Sequence, residues 1–381
     1  MYGIDNAIYT PALRGKKGEW DALHSLDDFT KDHTLPHVVL PPVEVRDAEK
    51  GRVLSMNEYS LTQIANIQNS CGKRPVLVDF RAVRFNRDDS GSDAARLSEF
   101  LQKARAFGCR IIPVFDPFID AYRSSVLSAH IRSSKSGGAI RIRLADLDEA
   151  TLEKMLTSIV ATSGTNESDL LLIVDLCEAE ISDPTSFAQF TSGWLEKLHQ
   201  MGQWKRVIVE ASSFPRRNPA PDNGNVTVSR NEWASWKKVV ETDASILQWA
   251  QFGDFGADHG QIEFSGGGRT ITHVRYATER NWIVERGGEP TKTHDGSIRT
   301  VAKNILKSGE FFGEDFSAGD AFLSLCGSNE GGPGNAATWR FANMAHHITL
   351  AAVGAARLAG LPFEPAKRAV VHAPSLFEPA E

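Results

Sequence analysis

Short runs rich in Val, Ile and Leu alternate with longer stretches of helical period about eight times within roughly 250 residues, and no other feature constrains the fold as much. Parallel strands cannot be joined by tight turns, so each pair needs a crossover, and a helix is the usual one. Strands are predicted at 8–14, 37–45, 75–80, 110–116, 139–144, 170–176, 206–211 and 249–255. Between them lie segments such as ARLSEFLQKARAFG, ATLEKMLTSIVATSG and PTSFAQFTSGWLEKLHQMG, the last with Pro near its start and Gly after its end. Count and length together match an eightfold β/α barrel of the TIM type. The rival is an open doubly wound sheet, but no strand runs into the glycine-rich phosphate turn of a dinucleotide fold.

The pattern changes after Gly256. THVRYATERNWIVERG alternates with period two on both sides of a polar turn, which predicts a β-hairpin. A helix is expected over 297–308. In EDFSAGDAFLSLC, Ser317 and Asp320 have capping-box spacing, and SNEGGPGN leads into a long helix over about 336–358. The Pro-rich tail beyond Leu361 reads as irregular. We therefore expect a barrel over 1–256 and, over 257–381, a C-terminal elaboration of hairpin, helices and tail packed on it. SSKSGG before the fifth strand and PRRNPAPDNGN after the seventh are low-complexity stretches, which a barrel would place at its stability face and its catalytic face respectively.

Charge narrows the partners. With 42 Lys plus Arg against 48 Asp plus Glu, the net charge of -6 gives no broad positive field for phosphate backbones, so any nucleic-acid contact is local. Cys71, Cys109, Cys177 and Cys326 are widely spaced, neither a zinc pattern nor a secreted disulfide framework. The start, MYGIDNAIYTP, has no signal-peptide pattern, and no apolar run approaches the roughly 20 residues of a membrane span. A cytoplasmic protein without a membrane partner is expected.

Barrel enzymes carry their reactive groups where the strands end. In this sequence those positions are mainly acids: Glu44, Asp79, Asp116, Asp175, Glu210 and Asp254, with Asp258 and His259 just beyond. Arg14, Arg81, Arg84, Arg141 and Arg143 stand among them. Carboxylates crossed by arginines suit acid/base work, anion binding or metal ligation. They equally suit helix caps and a structural ion network. No H-E-x-x-H or helically spaced histidine pair is present, so the metal is unassigned, with carboxylate-held Mg2+ left open as a cofactor. His346 and His347 are adjacent on a helix and diverge, so at most one is expected at the site, as a proton carrier, and the other is packed. GGPGNAATWR brings flexible glycines to a helix N-terminus, an arrangement that favours an anion, with Asn335 and Arg340 adding donors. An ordinary turn capped by Asn335 or Thr338 fits the same residues. Trp282, Trp339 and Tyr276 lie among arginines and suit either stacking or hairpin packing.

YTPALRGKKGEWDALHSL, VRYATERNWIVERG, GEDFSAGDAFL and GNAATWRFANMAHHIT together resemble blocks of the beta-protein family, known from T-even bacteriophages and bacterial genomes. The resemblance spans nearly the whole chain and implies a place in conflict between phages and their hosts, on either side. It picks out Lys17, Glu19, Tyr276, Trp282, Arg286, Asp315, Asp320, Asn335, Trp339, Arg340, His346 and His347, and implies no mechanism for them. Combined, these readings give Asp79, Asp116, Asp175, Glu210 and His347 as catalytic candidates. Lys17, Arg81, Tyr276, Arg286, Asn335, Trp339 and Arg340 are the substrate-binding candidates. The expected activity is a barrel hydrolase or phosphodiesterase acting on a phosphate-bearing small molecule or nucleic acid. The alternative is a non-catalytic recognition or inhibitor protein that binds a partner protein or a signalling nucleotide of a phage-host system.

Overall fold

A computed structural model of the chain describes residues 4–47, 50–177, 179–264, 271–288 and 294–362. The strands are β1 (Tyr9–Arg14), β2 (His37–Val39), β3 (Pro75–Asp79), β4 (Arg110–Phe115), β5 (Gly138–Arg143), β6 (Leu170–Asp175), β7 (Arg206–Glu210), β8 (Gly224–Ser229), β9 (Ala250–Asp254), β10 (His273–Ala277) and β11 (Asn281–Arg286). Eight of them close a parallel barrel in the order β1-β2-β3-β4-β5-β6-β7-β9. The closing seam pairs Tyr9 with Phe252 and Pro11 with Asp254. The eightfold barrel expected from the alternation is the fold observed.

Each connection between consecutive barrel strands carries a helix, and three more helices follow β11. In chain order these are α1 (Lys17–Ser25), α2 (Asp28–Asp32), α3 (Met56–Cys71), α4 (Ser90–Ala106), α5 (Ala121–Ser134), α6 (Glu149–Ser163), α7 (Pro184–Met201), α8 (Asn231–Thr242), α9 (His294–Lys307), α10 (Ala318–Ser328) and α11 (Ala336–Leu358). Local chemistry starts them: Ser55 and Glu58 form a reciprocal capping box on α3, and Asp183 caps α7 with Pro184 in the first turn. The strands' outer faces and the helices share one large core.

The eighth crossover helix does not follow β9 directly. Its place is taken by α11, which packs on α1 and β1 and, through Gly354, approaches Trp233 of α8. Met344, Ala345, Ile348 and Ala352 thereby join Tyr9 and Phe252 in the main core. The strands close by Asp254, yet the outer layer is completed only by this late helix.

The predicted hairpin is β10–β11, and it gains a third antiparallel strand, β8, in the order β10-β11-β8. β8 comes from the connection after β7 and begins within PRRNPAPDNGN, at Gly224, so the small sheet draws on the barrel segment as well. α9, α10 and Trp339 cover it through Val274, Tyr276, Val301, Ile305 and Leu323. β2 stops at Val39, short of the expected 37–45, because Pro41 and Pro42 bring no N–H to a ladder. Glu44 is consequently not a strand-end residue, and it pairs with Arg87 at 2.7 Å. The tail expected to be irregular, from 363 on, lies outside the described residues. Among the described residues no helix is long and apolar enough to cross a membrane.

Gly319 lets α10 and α11 touch, since a methyl group there would overlap the Ala342 carbonyl oxygen. Gly319→Ala is expected to lower stability by about 1–3 kcal/mol in urea unfolding. Gly193→Ala on α7, where an added methyl meets nothing, is the control and is expected to leave stability equal or slightly higher.

Candidate active site

Side chains of a strand alternate between its two faces, so one inward residue predicts the next two positions along. Leu35, Leu77, Ile112, Val114, Ala139, Leu171, Ile173 and Ile208 fill the barrel interior, with Ile4 and Ala7 beneath. Two residues on from Leu35, Leu77, Val114, Ala139, Ile173 and Ile208 stand His37, Asp79, Asp116, Arg141, Asp175 and Glu210. An apolar floor thus gives way to a polar layer at the carboxyl ends of the strands. The four acids expected to converge do so.

His37 and Arg141 organise them. Arg141 reaches Asp116 at 2.5 Å and Asp175 at 3.1 Å, and its Nε lies 3.4 Å from Asp79. His37 Nδ1 is 2.8 Å from Glu210 Oε1. Arg81 Nε lies 3.5 Å from Asp79 Oδ2, Arg81 Nη1 3.6 Å from Asp175, and His37 Nε2 3.6 Å from Asp79 Oδ2. Three donors therefore surround the single oxygen Asp79 Oδ2 without closing to hydrogen-bond length. His37 Nε2, Arg141 Nε, Asp79 Oδ2 and Glu210 Oε2 are buried with no hydrogen-bond partner. The layer is sealed except at Arg81 and Asp116, whose side chains are 22% and 25% exposed.

Burial disfavours the charged form of His37, and the Glu210 and Asp79 carboxylates outweigh it, raising the imidazole to about 9. Burial likewise opposes Asp79, yet Arg81, His37 and Arg141 hold it below the usual carboxylate range. Glu210 is raised, chiefly by burial, with His37 pulling the other way. The folded state thus keeps a proton on His37 that the unfolded chain releases near 6.5. That stabilisation is complete below about pH 6.5 and is lost as pH rises through about 9. His130, His259, His273 and His347 are all lowered and titrate below this window. Urea titrations at pH 6.5 and 9.5 are expected to differ by roughly 1–3 kcal/mol, and His37→Asn is expected to remove most of that difference.

A second polar cluster lies past the ends of β1 and β9. Asp258 accepts from Arg14, from Arg275 at 2.6 Å and from Arg340 at 2.8 Å. Glu19, itself buried, lies 3.2 Å from Arg14 and 3.3 Å from Arg340. Burial opposes ionisation of Asp258, and the three guanidinium groups overcome it, holding the carboxyl well below the usual range. A small cleft lined by Arg14, Glu19, Asp258, His259 and Gln261 opens beside them.

The anion site expected at Gly331–Asn335 is filled from within the protein. Asn335 Oδ1 accepts from the N–H groups of Ala337 and Thr338, as a helix cap does, and Arg340 is held by Glu19 and Asp258. Other candidates lie away from the mouth. His347 is fully buried, 2.7 Å from Asp254 on the outer wall, which also accepts from Tyr9, and it stacks on Trp282. His346 is equally buried between Asp320 and the Ala277 carbonyl, so both histidines are packed. Asp320 turns to His346 and Tyr276, although Ser317 does cap α10. Tyr276 is buried by that bond, and Trp339 donates to the Pro333 carbonyl and packs edge-on against Phe322. Arg286 is held by Asp222 and the Ala220 carbonyl, and Lys17 by Asp21 on the outside of α1. Among the described residues no three of His, Cys, Asp and Glu converge as a metal-ligand set. Asp79, Asp116 and Asp175 turn to arginines and Glu210 to His37.

Sequence reasoning missed His37, which it read only as the start of a strand. The two-residue step from Leu35 was the available signal.

The sequence profile of a family described as Beta protein matches residues 9–352. No curated protein is detectably similar in sequence. Among solved structures, a mutant tryptophan synthase α-subunit from Pyrococcus furiosus shares 11% identity at a TM-score of 0.37, covering 65% of this chain and 87% of its own. The carboxyl transferase domain of Rhizobium etli pyruvate carboxylase shares 10% at a TM-score of 0.40, covering 93% and 49%. The catalytic module of a family 98 glycoside hydrolase from Streptococcus pneumoniae shares 14% at a TM-score of 0.33, covering 61% and 39%.

Proposed function

The chain belongs to the Beta protein family, matched from residue 9 to residue 352, and for this member we propose an acid–base hydrolase of phosphate esters working at the barrel mouth. One observation carries the reading: His37 Nε2, Arg81 Nε and Arg141 Nε converge on one point at 3.4–3.6 Å, and two of the three are buried without a hydrogen-bond partner. Catalytic hydrogen bonds are often long before a substrate arrives and tighten around it.

In the proposed reaction the substrate's phosphoryl oxygens take the Arg81 guanidinium from Asp79 and Asp175. Arg141 stays fixed by Asp116 and Asp175 and supplies positive charge behind it. His37, oriented by Glu210 and protonated at neutral pH, donates its Nε2 proton to the departing oxygen. Water adds its oxygen to phosphorus as the bond to the departing oxygen breaks, and the proton it gives up passes to solvent, from which His37 is reprotonated. Glu210 acts through His37 and is a positioning residue.

Conflict between phage and host is the setting we propose, and family kinship alone supports it. The alternative, a non-catalytic recognition protein, is favoured by how far the layer is sealed. Turnover of bis(4-nitrophenyl) phosphate by wild type and by His37→Asn decides between them. Hydrolysis that depends on His37 supports the enzyme, whereas saturable binding of phosphate esters without turnover supports recognition.

A further inference from the structure

The β4–α5 connection and the first turn of α5 expose two large aromatic side chains, Phe118 at 69% and Tyr122 at 63%, on the rim that carries Asp116. The loop is held, not loose. Phe118 N–H donates to Asp116 Oδ1 at 3.0 Å, and Ile119 N–H donates to the Asp116 carbonyl. Asp120 caps α5, and the buried Arg123 ties that helix to Asp93 and to the Val83 and Phe80 carbonyls. Asp116 in turn holds Arg141, so one hydrogen-bonded path joins the Phe118 backbone to the acid–base layer.

One cationic group lies over the ring: the Arg143 guanidinium, 42% exposed and paired with Asp146, is 5.2 Å from the Phe118 centroid. Exposed aromatic faces on a hydrogen-bonded backbone, one of them beneath the Arg143 guanidinium and on the rim of the layer read above as the phosphate site, match a ligand with a planar ring at one end and a phosphate at the other.

Resting on the mouth reading, we propose that Phe118, with Tyr122, forms a shelf that stacks the base of a nucleotide whose phosphate is held at the barrel mouth. The shelf makes the ligand class a nucleotide and sets preference by the base. Calorimetric titration with AMP and with ribose 5-phosphate tests it, because the two probes share the phosphate and differ in the base. Wild type is expected to bind AMP about tenfold more tightly than ribose 5-phosphate. Phe118→Ala is expected to close that gap while leaving ribose 5-phosphate unchanged, and Phe118→Trp to keep it. Phe118 is at the surface, so an unchanged Tm confirms that each variant is folded. Equal wild-type affinities, or a gap that survives Phe118→Ala, overturn the shelf and leave the mouth reading standing. Binding of neither probe overturns both.

Discussion

His37→Asn is expected to reduce phosphate-ester turnover by about 10²–10⁴-fold, the range for loss of a positioned proton donor. Asn keeps a donor toward Glu210 but carries no proton to release, so the geometry of the layer outlasts the chemistry. The pH profile separates this from damage to the fold. Wild-type turnover is expected to fall above about pH 9, where His37 loses its proton, and the variant's residual rate to lack that limb. Glu210→Gln removes the carboxylate that raises His37, so its alkaline limb is expected to move to lower pH while some turnover remains. Equal turnover in wild type and His37→Asn at neutral pH would leave the layer as a structural ion network.

The largest loss of stability is expected at Asp258, not in the barrel. Asp258→Asn leaves Arg14, Arg275 and Arg340 crowded around a neutral amide, with only Glu19 as a remaining acid for Arg14 and Arg340. Removing one partner of a buried ion network typically costs about 3–5 kcal/mol, because the charges left behind remain out of water. Urea unfolding should show that loss. Arg275→Met added to Asp258→Asn removes the most buried of the three cations and should recover part of it, which simple loss of packing would not allow. A loss under about 1 kcal/mol would mean that water reaches the arginines and screens them.

The barrel was legible because its strands are nearly continuous apolar runs. LLLIVD and PVLVD permit little else between amphipathic helices, and the long α11 was bounded by GGPGN before it. The four mouth acids were legible for the same reason, since a strand's last inward position is fixed by its alternation. What failed depended on partners far off in the chain. β8 is a short polar strand, exposed at every second residue, that pairs only because β11 lies beside it. His347 meets Asp254, and Arg340 meets Glu19 and Asp258, through packing of α11 that no local pattern announces. A histidine followed by two valines and a leucine looks like core, and only the count from Leu35 places His37 among the acids.

The late placement of α11 has a consequence during synthesis. The flank between α1 and α8, with Tyr9 and Phe252 beneath it, has no cover until the segment Ala336–Leu358 has left the ribosome. At about 5–20 residues per second, the interval after β9 emerges is on the order of ten seconds. For that time the nascent chain holds eight strands able to pair and an apolar stripe open to water, the kind of surface that chaperones hold and that aggregates when they do not. The rate at which the ribosome crosses residues 255–358 therefore sets how long each new molecule stays at risk.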